Sequence, residues 1–221
     1  MKTMKRLFPI LAVLLTLAGC KSNEEKALEL IEYDLERTLY DIESYSPIET
    51  GLTEAKEIAE NDPICISKAI EIVKSVNKSS EEMENAQDAQ RSMEIWGAPT
   101  SWSSSYSDQK FFQYREDCQE HMELAAKALD DAKKQYDELK ERIQQLDTTK
   151  VIGWEVTHRF RCRTRGGDAA IADFRYIIDE NFTQILHRDD LDDEHIPHRN
   201  EVIGYAKTGE DLFDMATQNL R

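Results

Sequence analysis

The heptad-like pattern of residues 118–146 constrains the fold more than any other feature of the sequence. Spacings of four and three alternate over about four heptads, through Cys118, Met122, Ala125, Leu129, Ala132, Tyr136, Leu139, Ile143 and Leu146. This alternation puts the side chains on one stripe of a long helix and is typical of a coiled-coil seam. We interpret the stripe as the buried core of a helical hairpin.

A second long helix is predicted upstream of this stripe. Asp62 is a suitable N-cap, and Pro63 suits the first helical position. The apolar stripe over residues 66–83 becomes polar at Gln87 and Gln90, which predicts that the far end of the helix is more exposed. The two long helices are expected to pair in an antiparallel hairpin.

Antiparallel pairing sets Cys118 opposite about residue 85, and Cys65 then lies about 20 residues, or about 30 Å, further along. A disulfide needs Cα atoms within about 7 Å, so we expect no bridge between Cys65 and Cys118. Together with Cys162, these cysteines are expected to be small buried hydrophobic residues.

A shorter helix is predicted from Asn23 to Tyr40, with Asn23 as its cap. Its apolar stripe consists of Leu28, Ile31, Leu35 and Leu39. The helix should end near Asp41, because Pro47 follows and biases the preceding backbone away from the helical region. We expect this helix to pack on the base of the hairpin.

After residue 150 the apolar period changes to two, which is the period of a β-strand. Residues 152–162 and 170–178 alternate in this way around a Gly166-Gly167 turn. The apolar faces coincide only if the loop has an odd number of residues, and we predict about three with a glycine at positive φ. The remaining elements are predicted as a third strand over residues 182–187, an acidic loop over 189–199 and a short helix over 211–220.

These elements predict an α+β protein. A long antiparallel, coiled-coil-like helical hairpin plus a first helix is followed by a small three-stranded antiparallel sheet. The expected regions are a leader over residues 1–19, a helical region over 20–148, and a sheet region with an acidic loop and a C-terminal helix over 149–221.

The first 19 residues have the layout of a bacterial lipoprotein signal peptide. A basic start, with Lys2, Lys5 and Arg6, precedes an apolar run that is shorter than the roughly 20 residues a transmembrane helix needs. The segment Leu17-Ala18-Gly19-Cys20 resembles the lipobox of lipoprotein signal peptidase at all four positions. The resemblance implies that Cys20 is the lipid-modified first residue of the mature chain and that its acyl chains anchor the protein to a membrane.

The residues after Cys20 bear on location. Position 21 is Lys rather than the Asp of inner-membrane retention, and the polar, acidic stretch over residues 21–26 resembles the surface-export signal of Bacteroidota-type lipoproteins. The outer membrane is therefore the expected location, with either leaflet open. The formal net charge of −16 disfavours a nucleic-acid partner.

Two further segments together resemble small uncharacterised lipoproteins of the Bacteroidota type. They are residues 40–50 (YDIESYSPIET) and residues 153–161 (GWEVTHRFR), the latter ahead of the Gly-Gly turn. The resemblance implies an N-terminal helical region, a C-terminal antiparallel sheet and an envelope location. We expect Tyr45 and Ile48 to pack on the apolar face of the sheet, near Trp154, His158 or Phe160.

One candidate ligand site is a set of arginines. Arg159, Arg161 and Arg163 share one face of the first predicted strand, and Arg175 lies on the next strand. In an acidic chain this face could receive a carboxylate, sulfate or phosphate group. The alternative is a solvated face, or pairing of the arginines with Asp173 and with acids of the helices.

A candidate partner contact lies at the predicted hairpin tip. Trp96, Trp102 and Tyr106 occur in a Ser-rich loop over residues 96–108. Large aromatic side chains on a distal loop can anchor a protein interface. The alternative is that they fold back over the helix ends.

No catalytic residue, metal site or cofactor is predicted. His158 falls on the apolar strand face and is interpreted as a core residue. The acidic segment from His187 to His198 could hold a divalent cation, but it lacks EF-hand spacing, and a solvated loop is the favoured interpretation. The motifs GxSxG, HExxH and the P-loop do not occur.

The leading functional hypothesis is an interaction or structural lipoprotein of the envelope, with a membrane contact through its lipid and an envelope protein as partner. The alternative is a binding module that uses the arginine face for an anionic ligand. A third hypothesis, less favoured, is an envelope hydrolase.

Overall fold

The structure is a computed structural model that describes residues 21–210, Leu212 and Phe213. The predicted leader with Cys20, and nearly all of the closing helix predicted over residues 211–220, lie outside the described residues. The chain is an α+β protein, as predicted. Its helices are α1 (Asn23–Thr38), α2 (Pro63–Trp96), α3 (Ser105–Gln144) and α4 (His195–Thr208), and its strands are β1 (Ser46–Lys56), β2 (Val151–Arg163), β3 (Ala169–Asp179) and β4 (Ile185–Asp190).

The described helices are all too short or too polar to cross a membrane. The chain divides into two compact units, each built from two segments. The described part of the first unit comprises residues 21–55 and 152–192, and that of the second comprises residues 56–151 together with 193–210, Leu212 and Phe213. The units therefore interleave along the chain, whereas the predicted regions, 20–148 and 149–221, were consecutive.

The first unit contains a four-stranded antiparallel sheet in the order β1-β2-β3-β4. The prediction of three strands was wrong, because β1 was missed. Its sequence, SPIETGLTEAK, carries only Ile48, Leu52 and Ala55 as apolar residues and starts with Ser46-Pro47, so it lacks a clear alternation. Pro is tolerated on an edge strand, which is where β1 lies.

The apolar faces of β2 and β3 coincide, as predicted, with Trp154 opposite Ile178 and Phe160 opposite Ala172. The loop is odd, as predicted, but it has the five residues 164–168 instead of about three. Gly167 has the expected positive φ, 88°. The strand β4 starts later than predicted, because the Asp179 carboxylate accepts hydrogen bonds from the backbone N–H groups of Thr183 (2.6 Å) and Gln184 (2.8 Å) and so extends the turn.

The helix α1 shares a core with the apolar face of the sheet. Ala27, Ile31 and Leu35 are fully buried and belong to one cluster with Val156, Phe160, Tyr176 and Ile178. The buried face of α1 thus packs on the sheet of its own unit, whereas the prediction placed this helix on the base of the hairpin. Its cap is Ser22 rather than Asn23, and Ser22 forms a capping box with Glu25.

The second unit contains the predicted antiparallel hairpin of α2 and α3. Cross-hairpin bonds join Asp62 to Arg142 (2.7 Å), Ser79 Oγ to the Ala125 carbonyl (2.9 Å) and Glu82 to His121 (2.7 Å). The residue numbers of each facing pair add up to 203 or 204. This register places position 118 opposite position 85 or 86, in agreement with the prediction.

The three cysteines of the described residues are free, and the predicted absence of a bridge between Cys65 and Cys118 is confirmed. Cys65 and Cys118 belong to opposite parts of the hairpin, and they form no disulfide with each other or with Cys162. Burial, together with the charge of Asp62, raises the pKa of the Cys65 thiol to about 12. Cys65 is fully buried and therefore acts as a small hydrophobic residue.

The coiled-coil prediction holds for only part of the hairpin. Ala132, Tyr136 and Leu139 are buried, but Met122, further out on the predicted stripe, is 53% exposed. From the middle of the hairpin outward, the buried residues are small instead: Ala125 and Ala128 lie on α3 near the middle, and Ala86 and Ala89 lie on α2 nearer the tip. A continuous apolar seam along the hairpin was therefore wrong.

The helix α4 was also missed, since residues 189–199 were predicted as an acidic loop. It begins at His195 and packs three residues, Val202, Ile203 and Ala206, into a core with the inner half of the hairpin. Its first two turns carry His, Pro, Arg and Asn instead of an apolar stripe, so the sequence pattern gives no helical period there.

Candidate functional site

The tip of the hairpin is a short ordered loop between α2 and α3. Gly97, at φ 67°, ends α2 and donates its N–H to the Met93 carbonyl (3.1 Å). Ser104 caps α3 by accepting the Ser107 N–H (3.1 Å). Between them, the Thr100 N–H donates to Ser103 Oγ (3.0 Å), so the loop has its own hydrogen bonds.

The three predicted contact aromatics fall into two groups. The rings of Trp96 and Tyr106 meet edge to face, with centroids 5.5 Å apart, so part of each covers the other at the helix ends. Trp102 is 94% exposed and Tyr106 is 58% exposed. Burial of one such ring, at 150 Å² or more, would release on the order of 4 kcal/mol. Trp102 is therefore available to a partner, while Trp96 is partly used to close the tip.

The outer half of the hairpin carries more exposed apolar surface than Trp102 alone. Half of the large hydrophobic side chains that are exposed in the described residues lie between positions 83 and 122. They are Met83, Ile95, Trp102, Tyr106, Phe112 and Met122. Exposed apolar residues that are concentrated on one part of a molecule indicate an interaction surface, whereas scattered ones need no explanation.

The arginine face is occupied by ion pairs of the first unit. Within the described residues, Arg161 has no ion-pair partner, and the other three arginines each meet a carboxylate. The pairs are Arg159–Asp173 (3.4 Å), Arg163–Asp41 (3.8 Å), and Arg175 with both Asp189 (3.3 Å) and Glu155 (4.0 Å). These contacts favour the alternative interpretation, in which the strand arginines pair with acids instead of converging on an anionic ligand.

His158 is a buried histidine with both ring nitrogens bonded. It is 1% exposed, its Nε2 lies 3.0 Å from the Tyr45 hydroxyl, and its Nδ1 lies 2.9 Å from Thr50 Oγ1. Burial lowers the pKa of His158, and burial with the nearby charge of Glu32 raises the pKa of Tyr45 to about 12. The core interpretation of His158 is confirmed, and no reacting group is free here for general acid–base chemistry.

The predicted packing of Tyr45 on the sheet is confirmed. Its ring lies 6.0 Å from that of His158 and 5.6 Å from that of Phe160. The prediction for Ile48 was wrong, because Ile48 is 54% exposed on the edge strand. Ile48 lies near the start of β1, the strand that the sequence pattern did not predict.

A polar cluster fixes the base of the hairpin. The Asp62 carboxylate accepts from the Cys65 N–H (2.9 Å), which caps α2, and from the Arg142 guanidinium (2.7 Å) on α3. Burial by itself would raise the pKa of Asp62, but the hydrogen bonds from Arg142 and Cys65 outweigh it and lower that pKa. One carboxylate therefore starts one helix and ties it to the other.

The acidic segment that follows β4 contributes to a cavity that the sequence did not indicate. In the second unit, α2, α3 and α4 border a cavity of about 490 Å³, with Val73, Val76 and Leu129 on its apolar side and His195 and His198 on its polar side. Among the described residues, no group of three or more His, Cys, Asp and Glu side chains could hold a metal ion. Val76 and Leu129 both line this cavity, so α4 covers the side of the hairpin on which these two residues lie.

Comparison of the chain with protein-family models, with curated proteins and with solved structures finds no match in any of the three. The function is therefore inferred from the residues of this chain.

Proposed function

We propose that the chain is an envelope lipoprotein, anchored through Cys20 to the outer membrane, that binds a partner protein with the tip of its helical hairpin. The observation that carries the proposal is the 94% exposure of Trp102 on an ordered loop. A rigid loop presents an aromatic side chain at little entropic cost, and Trp and Tyr are the residues that most often dominate binding energy.

The position of the tip also supports a contact role. The outermost residues of α2 that line the cavity beside α4 are Val76 and Asn77. The remaining turns of α2, up to Trp96, extend about 30 Å further at 1.5 Å per residue. Trp102 and Tyr106 therefore lie well clear of the packed half of their own unit, where a second protein can reach them.

The anchor and the contact are tested separately. Mass spectrometry of the mature protein from its host should find a diacylated or triacylated Cys20 as the first residue. An unmodified cysteine, or a different first residue, would exclude the lipoprotein part of the proposal.

The contact is tested by site-specific photo-crosslinking in living cells of the host. A benzophenone side chain at position 102 should give one discrete protein adduct, and the same side chain at Tyr40, which is 70% exposed in the first unit, should not. Adding Tyr106→Ala should reduce the adduct at position 102 by at least tenfold. Equal adducts from both positions would indicate random proximity and would defeat the proposal.

A further inference from the structure

The helix α4 covers one side of the hairpin, and only in its inner half. Val76 on α2 and Leu129 on α3 face this side, because both line the cavity beside α4 together with Val202. At the inner end, Val202, Ile203 and Ala206 of α4 fill the space between the two long helices. The groove between α2 and α3 is thus a surface that binds a helix.

The same groove continues outward without a third helix in the described part of the chain. Met83 follows Val76 by seven residues, and Met122 precedes Leu129 by seven, so each lies on the same side of its helix as the residue that faces α4. The hairpin register also sets position 83 opposite position 121, which makes Met83 and Met122 neighbours across the groove. They are 42% and 53% exposed.

Further along α3, the stripe continues through Cys118 and Phe111, both of which are half-buried. The buried α2 residues at this level are the small Ala86 and Ala89, so the groove has a narrow apolar floor. We call this surface, lined by Met83, Phe111, Cys118 and Met122, the distal groove. Methionine side chains adapt to different partners and are common on surfaces that bind amphipathic helices.

Charge decides which helix fits. Residues 78–127 carry ten acidic and five basic side chains, so the outer half of the hairpin, which carries the distal groove, is net negative. A second copy of the chain would bring two negative surfaces together, which is unfavourable. A helix with an apolar stripe and a basic polar face matches both the apolar floor of the groove and the net negative charge around it.

We propose that the distal groove binds an amphipathic helix with a basic polar face, supplied by the partner protein, in continuation of the position that α4 occupies on the inner half. The inference rests on the proposed function and adds the chemistry of the partner: the tip aromatics make one contact, and the distal groove makes the second.

The test uses the full-length protein in phosphatidylcholine nanodiscs and a fluorescent 18-residue peptide of Leu and Lys with helical periodicity. Binding is measured by anisotropy, with empty nanodiscs subtracted. We expect saturable binding that weakens at least tenfold for a scrambled peptide and for a peptide with Glu in place of Lys. Equal binding of the scrambled peptide would show charge attraction alone and would overturn the proposal.

Matched variants locate the site. Met83→Gln with Met122→Gln should weaken binding at least tenfold, whereas Ile64→Gln, at a 50% exposed position near the start of α2, should change it less than twofold. All three side chains are exposed, so circular dichroism should show an unchanged helix content. Unchanged affinity in the double methionine variant would place the peptide elsewhere and exclude the distal groove.

Two further readouts separate this inference from the proposed function. Trp102→Ala should abolish the partner contact in cells but leave peptide affinity within twofold, so a failure at the tip does not conceal a result in the groove. Sedimentation should show a monomer. A dimer that dissociates in the double methionine variant would mean that a second copy fills the groove, which would contradict the proposal.

Discussion

The hydroxyl of Tyr45 provides a sharp test of how the sheet unit is held together. Tyr45→Phe removes the partner of His158 Nε2 at 3.0 Å and leaves the ring contact with Phe160 in place. His158 is 1% exposed, so water cannot replace the lost hydroxyl. A buried polar group that loses its partner costs about 1–3 kcal/mol, and this is the expected loss in the free energy of unfolding.

The assay must report the sheet unit alone, because two units need not unfold together. In a Trp96→Phe, Trp102→Phe background, Trp154 on β2 is the remaining tryptophan, and its fluorescence follows the sheet through urea denaturation at pH 8. Tyr40→Phe is the matched control. Tyr40 is 70% exposed, so its change should stay within about 0.5 kcal/mol.

A second variant tests the reasoning itself. His158→Leu in the Tyr45→Phe background removes the unpaired imidazole, so part of the lost stability should return, because deleting both partners costs less than orphaning one. If Tyr45→Phe unfolds at the same urea concentration as the parent, the hydroxyl does not satisfy His158, and the account of this core is refuted.

Three further predictions concern Gly153, His158 and Asp62. Gly153→Ala should destabilise the sheet by about 3 kcal/mol or more, because Gly153 has φ 152° and an added Cβ would lie 1.9 Å from the Ile178 carbonyl oxygen. Gly204→Ala on α4 is the control: it has open space around it and should raise the melting temperature slightly. Equal melting temperatures of the two variants would contradict the clash. Burial lowers the pKa of His158 below its ordinary 6.5, so the contribution of His158 to stability is complete above pH 6.5, and the free energy of unfolding falls as the pH drops below that value. If the stability of the parent changes as little between pH 8 and 5 as that of His158→Leu, this prediction is wrong. Asp62→Asn keeps a cap oxygen but loses the charge that faces Arg142, which should lower the free energy of unfolding of the hairpin by about 1.5–3 kcal/mol at pH 7. Because the pKa of Asp62 is lowered from 3.8, the difference between variant and parent should disappear as acid protonates Asp62 in the parent. A constant difference down to pH 2 would count against the ion pair.

The elements that could be predicted are those in which large apolar side chains recur with a regular period. The hairpin register followed from the helix ends alone, and the cross-hairpin bond between Glu82 and His121 confirms it. Both β2 and β3 alternate apolar and polar residues, which predicted that their apolar faces coincide, and Trp154 does lie opposite Ile178. Residues such as Asp62 and Pro63 carry their structural role in their own chemistry, so they could be assigned without any knowledge of the fold.

The elements that were missed depend on long-range packing. The strand β1 has few apolar residues, and its pairing is stabilised by contacts that no local pattern contains, such as the bond of Thr50 to His158. The helix α4 buries only Val202, Ile203 and Ala206 among its apolar residues, too few for a visible stripe. At the candidate site, Trp96, Trp102 and Tyr106 are equivalent candidates in the sequence, and only the edge-to-face contact of Trp96 with Tyr106 distinguishes the covered Trp96 from the exposed Trp102.

The insertion of the helical unit between two neighbouring strands has a consequence for the order of folding. The strands β1 and β2 are adjacent in the sheet, yet residues 57–150 separate them, and closing a chain segment of that length costs about 4 kcal/mol of entropy. The hairpin forms from contacts much closer in sequence, and once it has formed, the Glu57 N–H meets the Lys150 carbonyl at 2.9 Å. Its assembly therefore removes most of the entropic barrier to pairing β1 with β2. Pulsed hydrogen exchange should find the amides of α2 and α3 protected before those of β1. A change that slows folding of the hairpin should therefore also delay the pairing of β1, although the hairpin contributes no strand to the sheet.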